Sequence, residues 1–94
     1  MFNSKDIQEI LALYNQGDFS AGIKRCESIF DNNKTNPVFL NIFGLLHHAS
    51  INRDKAISLY KKSLEIKPNY IDPLVNLGIL HINLDFEESF FNFN

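Results

Sequence analysis

Apolar residues recur along this chain at the three- and four-residue spacing of amphipathic helices, and the pattern breaks at regular places. Ile7, Ile10, Leu11, Leu13 and Tyr14 form one stripe, and Ile23, Cys26, Ile29 and Phe30 a second. Leu40, Phe43, Leu46 and His47 form a third, Ala56, Ile57, Tyr60 and Leu64 a fourth, and Leu74, Leu77, Leu80 and His81 a fifth. Gly17-Asp18, Ile51-Asn52-Arg53-Asp54 and Leu84-Asp85 interrupt these stripes, while polar stretches at 32–37 and 67–73 separate larger units. The spacing predicts six helices near 4–16, 19–32, 37–50, 53–66, 71–83 and 86–93, joined as three hairpins with no strand. Ser4 reads as the N-cap of the first helix, and Asn36-Pro37 and Asp72-Pro73 as cap and first residue of the third and fifth. Asp85 with Glu88 reads as a capping box for the last.

The hairpins are copies of one another. A shift of 34 residues carries Leu40, Gly44, Leu46 and His47 onto Leu74, Gly78, Leu80 and His81. A repeat of this length is one helical hairpin that cannot bury its apolar face alone and must stack on its neighbours. The chain therefore reads as a single domain, 1–94, built as an all-α solenoid from units 3–36, 37–70 and 71–94, the last incomplete.

The middle unit carries the most specific spacing: Leu40-x2-Phe43-Gly44-x2-His47, then Ala56-x3-Tyr60, then Pro68. This resembles the tetratricopeptide repeat, whose pattern is W-x2-L-G-x2-Y, A-x3-F and P, with small residues where the two helices come close. Residues 71–94 follow it through Leu74, Leu77, Gly78 and His81, but are one residue short in the turn before Asp85 and have Ser89 in the place of Ala. Residues 3–36 match in phase more than in identity: Asp6 and Glu9 stand at large apolar positions, Ile10 at the small one and Gly22 at the Ala. These departures suit an N-terminal cap whose outer face meets water.

The resemblance implies a right-handed superhelical stack whose concave face is lined by the fifth, ninth and twelfth positions of each unit. Transferred to this chain, those are Ile7, Leu11 and Tyr14, then Asn41, Leu45 and His48, then Val75, Ile79 and Ile82. Members that clamp a terminal carboxylate use Lys, Arg and Asn there, and only Asn41 qualifies here. An apolar groove favours an amphipathic helix or an extended apolar peptide, so the expected function is a protein-interaction adaptor or scaffold. Two alternatives stand beside it. One is a fragment resembling the substrate-presenting arrays of larger glycosyltransferase- or sulfotransferase-like proteins. The other is a self-associating repeat protein. The final helix is short and carries Phe86, Phe90, Phe91 and Phe93, more aromatic surface than it can bury on its own hairpin, which predicts a homodimer through that end.

Composition narrows the partner. With 94 residues, a net charge of −2 and pI near 5.8, the chain lacks the clustered positive charge that nucleic acid or an anionic membrane selects. Met1-Phe2-Asn3-Ser4-Lys5-Asp6 shows no apolar stretch behind a basic start, no run approaches the ~20 apolar residues of a membrane span, and the lone Cys26 suits a reducing compartment. The expected location is cytoplasmic. Catalysis finds no phosphate loop, no H-E-x-x-H and no serine elbow, and no cofactor is implied. His47 and His81, with His48 nearby, are equivalently placed and open to a metal, but no Cys or carboxylate stands in phase and core histidines fit better. Cys26 reads as an inert core thiol. Lys55, Lys61, Lys62 and Lys67, with Glu65, form a mildly basic and solvated strip.

Overall fold

The computed structural model describes the backbone of residues 2–92 and the side chains of residues 2–82. They are all-helical: α1 (Ser4–Asn15), α2 (Phe19–Ser28), α3 (Phe30–Asn33), α4 (Pro37–Ala49), α5 (Arg53–Ile66) and α6 (Ile71–Asn92), with no strand among the described residues. No helix among them is long and apolar enough to cross a membrane. The 34-residue period survives in the backbone. Phe19 and Arg53, 34 positions apart, open α2 and α5, and Pro37 and Ile71 open α4 and α6.

The two hairpin turns are built alike. In the first, Gly17 takes φ +77°, its N–H donates to the Tyr14 carbonyl, and the Asp18 N–H reaches back to the Leu13 carbonyl. In the second, Ile51 takes φ +62°, donates to the His48 carbonyl, and the Asn52 N–H donates to the His47 carbonyl. This paired closure satisfies carbonyls that a helix end otherwise leaves bare. A β-branched residue in the left-handed region is strained, and Ile51 is also exposed. In both hairpins the second helix runs back along the first: Arg25 near the end of α2 pairs with Asp6 and Glu9 of α1, and the Ser63 hydroxyl of α5 donates to the Pro37 carbonyl of α4 at 2.8 Å.

Four local readings are corrected. Asn3, not Ser4, caps α1, its Oδ1 accepting from the Asp6 N–H at 2.9 Å. The helix expected over 19–32 is split at Ile29, because the Ser28 hydroxyl takes the Arg25 carbonyl, and Asn33 bonds the Ile29 carbonyl from a separate short turn. α6 begins at Ile71, so Asp72 is helical rather than a cap, and Pro73 falls in the first turn where its missing N–H is not needed. Most consequentially, Leu84-Asp85 is no turn: α6 continues to Asn92, and the expected helices 71–83 and 86–93 are one. Nothing at 83–88 breaks a helix, the segment having neither Gly nor Pro.

The main core gathers Phe2, Ile10, Cys26, Phe39, Leu40, Ile42, Phe43, Leu46 and Leu59. Phe39 is its hub, with ring centroids of Phe2 at 5.2 Å, Phe43 at 5.7 Å and Phe30 at 6.2 Å. A second cluster of Ala56, Tyr60 and Leu80 joins α5 to α6. The repeat logic is visible in how volume is shared. At Gly44 an added Cβ would lie 2.6 Å from Tyr60 Cε1, so the large ring occupies the space the glycine vacates. One unit earlier the equivalent pair is Ile10 and Cys26, both fully buried, with the large and small members exchanged. The close contact of Gly22 with Leu46, 2.6 Å from an added Cβ to Cδ2, has its counterpart one unit on in the Ala56 and Leu80 cluster. Asp6 and Glu9, at expected apolar positions, are accounted for by Arg25, which lies 3.0 and 3.3 Å from their carboxylates.

Candidate functional site

The residues assigned to a concave face divide into three groups. Ile7, Leu11 and Tyr14 are half-buried and lean on the main core, with Tyr14 5.6 Å from the Phe19 ring. Asn41, Leu45 and His48 lie on α4, the first buried and the other two half-buried. Asn41 is nearly buried because its Oδ1 accepts from Asn76 Nδ2 of α6 at 3.1 Å. Leu45 is half-buried beside the second cluster. The ring of His48 stands edge-on to Tyr60, whose hydroxyl lies 3.4 Å from its Nδ1. Val75, Ile79 and Ile82 on α6 are open to solvent, Ile82 at 68 %.

Asn41 and Leu45 of α4 and Val75 of α6 come together with Asp72 and Asn76 around an open depression of about 260 Å³. The 34-residue phase does this: α4 and α6 start one period apart and pack side by side, so the fifth position of one unit, Asn41, meets the fifth and sixth of the next, Val75 and Asn76. Leu45 and Val75 give it aliphatic surface, and Asn41, Asn76 and Asp72 give it amide and carboxylate groups. Tyr70 stands next to Asp72. Burial holds its phenol protonated beyond the usual range, and the Asp72 carboxylate that accepts its hydrogen bond adds to the shift. Such a surface offers apolar contact with a few polar groups that fix orientation.

A second depression, about 350 Å³, lies between α2–α3 and α5 and was not foreseen from the sequence. Phe30, Phe43 and Leu59 form its floor, and Glu27, Asp31, Lys55 and Lys62 its rim. Two lysines of the supposed basic strip therefore share a mixed-charge edge, a signal that lay in residues far apart in sequence.

The histidines part company. His47 is buried and tilted against Phe43 at 5.0 Å, with Nδ1 3.5 Å from Asn52 Nδ2 and a buried Nε2 that has no hydrogen-bond partner among the described residues. His81 is exposed. Burial lowers the pKa of His47, with Lys55 adding to it, and burial followed by Arg53 lowers that of His48. Cys26 is fully buried and its thiol is pushed up to about 12 by desolvation, which leaves no reactive thiolate. Phe86, Phe90 and Phe91 belong to α6, but their side chains, and Phe93 altogether, lie outside the described residues. No protein-family model and no curated protein matches the chain.

Proposed function

We propose that this chain is a protein-interaction module, a tetratricopeptide-like stack of helical hairpins that takes an extended peptide or amphipathic helix along α4 and α6. The observation that carries the reading is the adjacency of Leu45 and Val75 in one amide-bearing depression, continued along α6 by exposed Ile79 and Ile82. Exposed contiguous aliphatic surface of this kind marks a contact site, and its binding energy concentrates in a few anchors. Further support comes from the repeated turns, the 34-residue spacing of helix starts, and the Gly44–Tyr60 and Ile10–Cys26 pairs, each a property of stacked hairpins. The polar lining holds one carboxylate and two amides and no cation, so the peptide it suits is apolar with backbone or amide donors, and not an acidic tail.

The test is selection of a displayed random-peptide library on the full chain. Enriched sequences carry aliphatic or aromatic anchors at helical or alternating spacing, and Leu45→Glu weakens them at least about tenfold, the 1.4 kcal/mol expected for a lost anchor. Peptides bound equally well by Leu45→Glu and Val75→Glu variants would refute the site.

A further inference from the structure

The face of α4 that α5 covers has a counterpart on α6 that is open among the described residues. Leu40, Gly44 and His47 stand 34 positions before Leu74, Gly78 and His81. Leu40 is fully buried, His47 nearly so, and Tyr60 fills the space over Gly44. Leu74 is 49 % exposed, His81 is exposed, and a Cβ added to Gly78 meets nothing within 4 Å.

In the second unit the cover is a helix that turns back at 50–52 and brings Ala56 and Tyr60 alongside. The sequence contains the same cover once more. Ser89-x3-Phe93 repeats the small-x3-aromatic spacing of Ala56-x3-Tyr60, and Phe90 follows Ser89 as Ile57 follows Ala56. Gly44 and Tyr60 lie eight positions on either side of Asn52, and Gly78 and Phe93 lie seven and eight from Asp85. Yet α6 runs straight through Leu84-Asp85. At 1.5 Å per residue, Phe90 is carried about 18 Å along the helix axis from Gly78, so the matching segment cannot cover its own face.

We infer that a second copy of this chain supplies the cover. Two α6 helices pair antiparallel about a two-fold axis near Leu84-Asp85, and residues 86–92 of each lie over Leu74, Gly78 and His81 of the other. The contacts are those of a closed hairpin, made between copies. A turn one residue short favours this, because a strained hinge is relieved when it straightens into helix and the arms are exchanged. The inference stands on the repeat phase and the continuity of α6, and does not need the concave-face reading above.

Sedimentation equilibrium on the full chain at about 100 μM tests it, since mass action reveals a micromolar dimer there. The expected mass is twice the 10.9 kDa of one chain. Gly78→Leu meets open space in a single copy and keeps its helicity, but collides with the exchanged arm, so it weakens the dimer at least tenfold. Insertion of Asn-Gly between Leu84 and Asp85 lengthens the turn, lets the hairpin close, and returns the protein to the mass of a single copy with helicity unchanged. A parent chain that stays at 10.9 kDa would overturn the proposal, as would a dimer indifferent to both changes. A dimer broken by Leu45→Glu but not by Gly78→Leu would place the contact on the concave face and overturn it equally.

Discussion

Exchanging the volumes of one buried pair tests the repeat architecture at a single contact. Tyr60 lies so close over Gly44 that an added Cβ would be 2.6 Å from Cε1, 2.8 Å from Cδ1 and 3.2 Å from Cζ. The ring is fully buried and cannot swing away without abandoning His48, 3.4 Å from its hydroxyl. Gly44→Ile therefore gains about 0.5 kcal/mol of helix propensity but loses about 3 kcal/mol to overpacking. Tyr60→Cys empties a buried ring and costs about 3 kcal/mol, the low end of aromatic truncation because the sulfur retains some contact. Combined, the two changes recreate the Ile10 and Cys26 pair that the first unit already buries at the same places. The double variant should lose about 2 kcal/mol in place of the roughly 5.5 kcal/mol of the singles added, a coupling of at least 2 kcal/mol. Urea unfolding followed by far-ultraviolet circular dichroism, with all four proteins at one concentration, measures it. Additivity within about 0.5 kcal/mol would show that the two hairpins are not packed in the same phase, and the repeat reading would fail.

Three further outcomes follow from single residues. Replacing exposed Ile51, held at φ +62°, by glycine should raise stability by about 1 kcal/mol, read as a higher urea midpoint at constant slope; no gain would mean the turn is not left-handed there. His47 and His48 have pKa values lowered below the ordinary 6.5, so the unfolded chain takes up protons first. Stability is complete above that pH and is lost as pH falls through it, and a His47→Phe variant should show a shallower loss in thermal melts between neutral and mildly acid buffer; identical profiles would contradict the burial of His47. Cys26, pushed up to about 12 and fully buried, should react with a disulfide reagent only at the rate of unfolding, and prompt labelling of the native chain would contradict its place in the core.

Helical spacing, glycine and proline placement and the 34-residue phase made α1, α4, α5, the start of α2 and the Gly44 crossing legible, because each depends on residues near in sequence. The straight run of α6 was not legible. Asp85 and Glu88 make a sound capping box, but a cap forms only if the helix before it stops, and no residue between Asn83 and Glu88 stops it. The pairing of Asp6 and Glu9 with Arg25 was hidden for another reason: charge at an apolar position reads as surface until its distant partner is known. The candidate site was half legible. The register implied by the repeat resemblance selected Asn41, Leu45 and Val75, which do share a depression, while Asn76 and Asp72 entered it through packing of α4 on α6. Phe2, a core residue, stood in a segment with no periodicity to mark it.

The most direct test of the central claim is a nuclear magnetic resonance titration of the isotope-labelled chain with a peptide selected on it. The account predicts that shifts concentrate on Asn41, Leu45, Asp72, Val75 and Asn76 and extend along α6 to Ile79 and Ile82. Shifts concentrated instead on Glu27, Lys55, Ser58 and Lys62, around the depression between α2–α3 and α5, would contradict it.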